Sequence, residues 1–256
     1  MKAVEELYDQ LFLFESKNEE PYAVHKRLRA SNQELLDLIS EKITFKQTDC
    51  ILDAGCGNGH SLFWLNSKYG STGRGISLSR EEVQFATRYA TKLKKSDQLT
   101  FSLESYDEAG HEEYYDKVLA IESLKHSPSV KISISNLLSK VKKQGVLVVS
   151  DDFKLTDNKA LSRQSTLWES PGFTSYSQFE RFVHESQYNV QIEKYDLTSL
   201  VAKRSVLSLR TRIFLVQFLC LFIRRRNMIT YLGGLMLELE YVKRNVEYLL
   251  IVIQKF

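Results

Sequence analysis

The heptapeptide Asp53-Ala-Gly-Cys-Gly-Asn-Gly59 constrains this chain more than any other stretch. It directly follows an apolar run, CILDA at 50–54, and directly precedes a helical pattern carrying Leu62, Phe63 and Leu65. Glycines at alternate positions permit a tight turn with positive φ and leave bare backbone where a ligand can approach. An acid at the end of a strand, followed by such a turn and a helix, predicts the mouth of a parallel sheet. The spacing differs from G-x-G-x-x-G, in which a phosphate sits at the helix start, so a diphosphate cofactor is the weaker reading.

Further short apolar runs alternate with helical stretches at 73–78, 99–103, 115–121 and 145–150, the pattern of successive βαβ units. Runs at 190–195 and 248–254 add two strands, so seven are expected. Ser79 and Glu82 form a capping-box pattern, and Val83, Ala86, Ala90 and Leu93 recur on one face behind it. Helices are expected within 1–45, broken near Pro21, where Leu28, Leu35, Leu36, Leu38 and Ile39 follow helical spacing. An amphipathic segment runs from Tyr176 to Glu185. The block 197–246 is too long for a strand connection and reads as a helical cap inserted before the last strand. The division is therefore an N-terminal helical lid at 1–45, a core at 46–196, a cap at 197–246 and a final core strand at 247–256.

Composition excludes several classes. At 43% apolar and 26% charged, the chain is neither disordered nor of low complexity. Cys50, Cys56 and Cys220 form no C-x-x-C pair, and the histidines (His25, His60, His111, His126, His184) lack metal spacing, so neither a disulfide framework nor a metal site is signalled. Residues 1–30 lack the apolar stretch of a signal peptide, and the longest uncharged apolar run, Ile213–Ile223, is 11 residues. A span needs about 20, so a cytoplasmic chain is expected. Residues 201–256 hold 10 Lys and Arg against 3 Asp and Glu, while the remainder holds 25 against 29. The basic character is local, and suits nucleic acid, a phosphorylated substrate or peripheral contact with an anionic membrane; charge alone does not choose among them.

D-A-G-C-G-N-G resembles the first motif of class I S-adenosylmethionine-dependent methyltransferases. The resemblance implies a Rossmann-like α/β fold: a seven-stranded, mostly parallel sheet with helices on both faces. It also implies S-adenosylmethionine held by Asp53, Gly55, Cys56, Gly57, Asn58 and Gly59. Gly75-Ile-Ser-Leu-Ser79 resembles the second motif in the subgroup of cyclopropane-fatty-acid synthases and prenyl-diphosphate or sterol C-methyltransferases. There Ser77 replaces the usual ribose-binding acid, with Leu78 beside it and Glu82 able to accept both ribose hydroxyls. Ser105 and Tyr106 fall where an adenine-binding acid is usual, and Ile121 is implied against the methionine part of the cofactor. Glu122-Ser123 resembles the subgroup's segment facing the transferred methyl, and Gly233-Gly-Leu-Met-Leu-Glu-Leu-Glu-Tyr241 resembles a segment of methyltransferases acting on lipophilic acceptors. No N-P-P-[YF] or D-P-P-[YF] tetrapeptide is present, which weighs against nucleic-acid or protein methylation.

Methyl transfer from a sulfonium requires alignment, dryness and sometimes a proton acceptor. C-methylation of an isoprenoid through a carbocation needs negative charge and then a base, for which Glu122 and His126 are the candidates. Trp168, Phe173 and Tyr176 are expected in the acceptor pocket, with Arg204, Arg210 and Arg212 on a phosphate head. Phe214, Phe218 and Phe222 recur every four residues and are read first as core. Mg2+ enters only if the acceptor is a diphosphate. Asp151 and Asp152 could then reach it, although two acids at a strand end are more often cap or loop residues. N- or O-methylation of a phospholipid headgroup or small metabolite, and a non-catalytic methyltransferase-like partner protein, are the alternatives. Oligomeric state stays open, with a homo-oligomer compatible.

Overall fold

In the computed structural model, residues 2–15, 19–22, 35–107, 113–201, 203–222 and 226–256 are described. Leu28, His25, His111, Arg224 and Arg225 lie outside them. The helices are α1 (Lys2–Glu15), α2 (Leu35–Lys42), α3 (His60–Tyr69), α4 (Arg80–Lys92), α5 (Val130–Lys140), α6 (Lys159–Leu167), α7 (Tyr176–Glu185), α8 (Val206–Phe222) and α9 (Arg226–Val242). The strands are β1 (Cys50–Ala54), β2 (Thr72–Ser77), β3 (Leu99–Leu103), β4 (Tyr115–Ile121), β5 (Val141–Lys154), β6 (Val190–Asp196) and β7 (Val246–Lys255). They form one sheet in the order β3-β2-β1-β4-β5-β7-β6.

β1 pairs in parallel with both β2 and β4, so Asp53 stands beside Gly75 on one side and Leu119 on the other. The strand order reverses here, and an open α/β sheet leaves its ligand crevice at such a point. β7 runs antiparallel between β5 and β6. The core has two layers because strand residues alternate faces. In the first layer, Ile51, Val148 and Leu250 meet Ile39, Leu62, Ala86, Leu161 and Tyr241 from α2, α3, α4, α6 and α9. Leu52, Val149 and Ile251 meet Leu137 of α5 and Phe179 of α7 on the opposite face.

Four local expectations are corrected. β5 continues to Lys154, so Asp151 and Asp152 are strand residues paired with Leu249 and Tyr248, not cap or loop residues. Ser79 does cap α4, accepting from the Glu82 amide at 3.2 Å, but the Glu82 carboxylate turns to Ser77, so the box is only half formed. α4 ends at Lys92, which leaves Leu93 41% exposed instead of packed. Phe214, Phe218 and Phe222 are 67%, 52% and 73% exposed, and are not core.

Candidate active site

The glycine loop is held by β2. The amides of Gly55 and Cys56 both donate to the Ile76 carbonyl at 2.9 Å, and Gly59 donates to Cys56 at 2.9 Å. Gly55, Gly57 and Gly59 have φ of 89°, 52° and 85°, the left-handed region that a side chain disfavours. A Cβ on Gly55 would lie 2.5 Å from Ser123 Cβ, so the loop presses bare backbone against the end of β4. Ser123 returns a hydrogen bond to the Ala54 carbonyl at 2.7 Å. The Cys56 thiol is buried and pushed up by that burial. Asn58 is buried too, and its amide exchanges two hydrogen bonds with the backbone of Tyr22, which ties Tyr22 to the loop.

Asp53 is 1% exposed, and one of its carboxylate oxygens has no hydrogen-bond partner among the described residues. Burial pushes its acid up to about 7, partly opposed by a hydrogen bond with Ser61. Such an oxygen costs about 1–3 kcal/mol unless a donor reaches it, and the amino group of S-adenosylmethionine is a donor of the right charge. Glu82 is likewise buried and pushed up to about 7 by burial, while Ser77 donates to it at 2.8 Å. This carboxylate can take ribose hydroxyls, so the residues present fit the cofactor. Leu78 is half-buried beside it. Ser105 accepts from the Asp107 amide at 3.2 Å and shapes the turn after β3, and Tyr106 reaches the Ser123 carbonyl at 3.4 Å. Ile121 packs on the first core layer.

Two side chains from α1, unsuspected from the sequence, reach this region. Asp9 accepts from the Ser79 hydroxyl at 2.6 Å, and the Tyr8 hydroxyl lies 2.7 Å from His126 Nε2. Burial holds the Tyr8 phenol well above its usual range, so it stays protonated beside the imidazole. The only signal available was the helical spacing of 1–45, which does not say what a helix covers.

At the carboxyl ends of β4 and β5 the structure gathers a buried charge cluster. Lys125 Nζ lies 3.5 Å from Glu122, 3.2 Å from Asp151 and 2.9 Å from Asp152, and all four side chains are at most 3% exposed. Tyr248 donates to Glu122 at 2.9 Å and Tyr241 donates to Asp152. Burial raises the Asp151 acid, against the lowering pull of Lys125. These carboxylates do not fit Mg2+, because the ammonium already occupies the point on which they converge. Lys125 escaped the sequence reading, although its spacing of three from Glu122 was the available sign.

Of the residues expected around an acceptor, Trp168 and Phe173 belong to the first core layer. The Trp168 ring centroid is 5.6 Å from Lys125 Nζ, and its indole donates to the Thr230 carbonyl at 2.9 Å. Tyr176 packs on the other face and donates to Glu180, so it does not join them. Arg204 is bound to Glu238 at 2.5 Å, while Arg210 and Arg212 face outward on α8, so the three do not converge as a phosphate clamp. Buried polar atoms near Trp168 in sequence also emerge: both amide atoms of Gln164 and the Ser165 hydroxyl lack partners among the described residues, as does the Ser150 hydroxyl on β5.

Residues 45–202 match the family model described as "Methyltransferase domain". Curated relatives include O-methyltransferase cnsE of Penicillium expansum, 26% identical over 55% of this chain and 55% of that protein. Methyltransferase GfsG of Streptomyces halstedii is 25% identical over 68% of this chain and 61% of that protein. The matches thus span less than two-thirds of either relative's length. Among solved structures, the [4+2]-cyclase SpnF superposes with a TM-score of 0.74 at 18% identity, covering 98% of this chain and 95% of that one. Geranyl diphosphate C-methyltransferase from Streptomyces coelicolor A3(2), crystallised with Mg2+, geranyl diphosphate and S-adenosyl-L-homocysteine, also gives 0.74, at 15% identity, over 100% of this chain and 97% of that one. With the glycine loop, the buried Asp53 and Glu82 and the seven-stranded sheet already in place, the match over 45–202 means that the chain belongs to the methyltransferase domain family, the class I S-adenosylmethionine-dependent methyltransferases.

Proposed function

We propose that this chain methylates a lipophilic small molecule, by C-methylation of an isoprenoid, a prenyl diphosphate or sterol-like acceptor, through a carbocation. The observation that carries this reading is the buried cluster in which three carboxylates share one lysine. It leaves surplus negative charge next to the strand end that abuts the glycine loop, where low polarity strengthens its pull on a developing cation. The cofactor, when bound, supplies an electrophilic methyl group. Asp53 and Glu82 hold its polar ends, the loop glycines admit it, and α1 and α2, the described helices of the N-terminal lid, exclude water, while α8 and α9 cap the acceptor. Glu122 serves as the electrostatic partner and proton acceptor, with Tyr248 fixing its orientation, and His126 is the second candidate base. Trp168 and Phe173 supply apolar contact. The reaction is assigned to the cytoplasm.

Purified protein with methyl-labelled S-adenosylmethionine and a panel of prenyl diphosphates, sterols, phenols and phospholipids tests the proposal. A product with a new carbon-bound methyl, and a Glu122→Gln rate reduced about 10²–10⁴-fold, is expected. Methyl found only on oxygen or nitrogen would sink it. O-methylation is the second reading, favoured by relatives described as O-methyltransferases at 26% and 22% identity, with the His126–Tyr8 pair as proton acceptor. The non-catalytic alternative is decided by calorimetry with S-adenosylhomocysteine: wild type binds and Asp53→Ala does not if the cofactor reading holds.

A further inference from the structure

α8 is the part of the molecule that the methyl-transfer reading leaves unexplained. Of its 17 residues, Leu209 alone is buried. One side rests on α9, while Leu207, Phe214, Leu215, Phe218, Leu221 and Phe222 are between 52% and 77% exposed. At about 100° per residue, these six fall on one face of the helix, and Arg210 and Arg212 fall on its two opposite borders. Contiguous large apolar side chains in water mark a surface that something covers.

Charge says what covers it. From Leu197 to Leu237 the chain has no Asp or Glu and seven Lys or Arg, of which Arg204 and Arg226 are paired with Glu238 and Glu169, while Arg210 and Arg212 border the exposed face. A second copy docking through the same face would set these arginines against their own kind, at an electrostatic cost. An anionic lipid surface suits both chemistries at once. Phe and Leu enter the boundary between headgroups and acyl chains, while guanidinium groups on the borders stay at the phosphates. The uncharged stretch Ile213–Ile223 has 11 residues, or ~16 Å of helix, against a hydrocarbon core of ~30 Å. Among the described residues no helix is long and apolar enough to cross a membrane. We propose that α8 lies flat on an anionic lipid bilayer and docks the enzyme there, a role independent of which acceptor is methylated.

Flotation tests it, using vesicles of phosphatidylcholine alone or with about one-third phosphatidylglycerol. The full chain is expected to float with the anionic vesicles and not the neutral ones, and to be released by salt. Phe214→Ser with Phe218→Ser should abolish flotation, and Arg210→Gln with Arg212→Gln should weaken partitioning about 30-fold. All four side chains are exposed, so S-adenosylhomocysteine binding and melting temperature should stay at wild-type values, which separates this test from the acceptor assay. Absence of flotation, or flotation that neither variant changes, overturns the proposal. A dimer in sedimentation velocity that the Phe double variant breaks, without vesicle binding, overturns it in favour of a second copy.

Discussion

Replacing Lys125 with Met would remove one charge and keep most of the side-chain volume, which isolates the electrostatics of the buried cluster. The ammonium is 1% exposed, and its three partners are 1%, 3% and 0% exposed, so water cannot take its place without opening the fold. Breaking a buried pair by deleting one partner costs about 3–5 kcal/mol, because the remaining carboxylates stay desolvated. For a chain of this size that corresponds to a melting temperature lower by about 6–20 °C. The loss should depend on pH. Burial already raises the Asp151 acid, and without Lys125 the opposing pull disappears. A carboxyl raised in the folded state binds protons that the unfolded state releases, so stability is retained at low pH and lost as pH rises through the folded value. The variant should therefore approach wild type near pH 5 and fall furthest behind at pH 8. Thermal denaturation at both pH values measures this. A difference under about 1 kcal/mol at pH 8, or an equal loss at both, would show that the cluster is not held by Lys125 as argued.

Four further outcomes follow from the cofactor side and from α1. Asp53 and Glu82 both titrate near 7 because they are buried, and donors on the cofactor favour their ionised forms. S-adenosylhomocysteine should then bind about tenfold more weakly per group at pH 6 than at pH 8, with Glu82→Gln removing one of the two contributions, and a flat calorimetric profile would contradict this. The same raised acids make the free protein lose stability as pH rises from about 4 to 7, a trend that bound cofactor should reduce. Gly55→Ala would place Cβ 2.5 Å from Ser123 Cβ at a φ of 89°, and should cost about 2–5 kcal/mol in denaturant unfolding together with cofactor binding. Asp9→Ala removes the Ser79 hydroxyl's acceptor and should speed amide hydrogen exchange in α1 while leaving the sheet protected; unchanged exchange would mean that α1 is held elsewhere.

The existence and order of the strands, the loop and its following helix were legible because their causes are local. Short continuous apolar runs between helical stretches mark strands buried on both faces, and three alternating glycines permit one kind of turn, so Asp53 at the mouth of the sheet follows from its neighbours in the chain. Glu82 could be named from spacing, yet its carboxylate accepts from the Ser77 hydroxyl instead of the Ser79 amide, which itself donates to Ser77. Tyr8 and Asp9 were not legible, because helical periodicity says which residues share a face and not what lies opposite. The charge cluster is the clearest case: Tyr248 meets Glu122 from 126 residues away, and Tyr241 meets Asp152 from 89. The first meeting is a product of the β4-β5-β7 strand order and the second of α9 packing over the sheet, neither of which a short stretch encodes. The Phe stripe of α8 reads the same whether a neighbour covers it or not, and only the placement of α9 on its other side left it facing outward. Sequence thus determined which elements form and where the cofactor loop lies, through torsional and periodic constraints that act over a few residues. Tertiary structure decided which charges were buried together and which apolar face was left uncovered, because burial is a property of what packs against a residue.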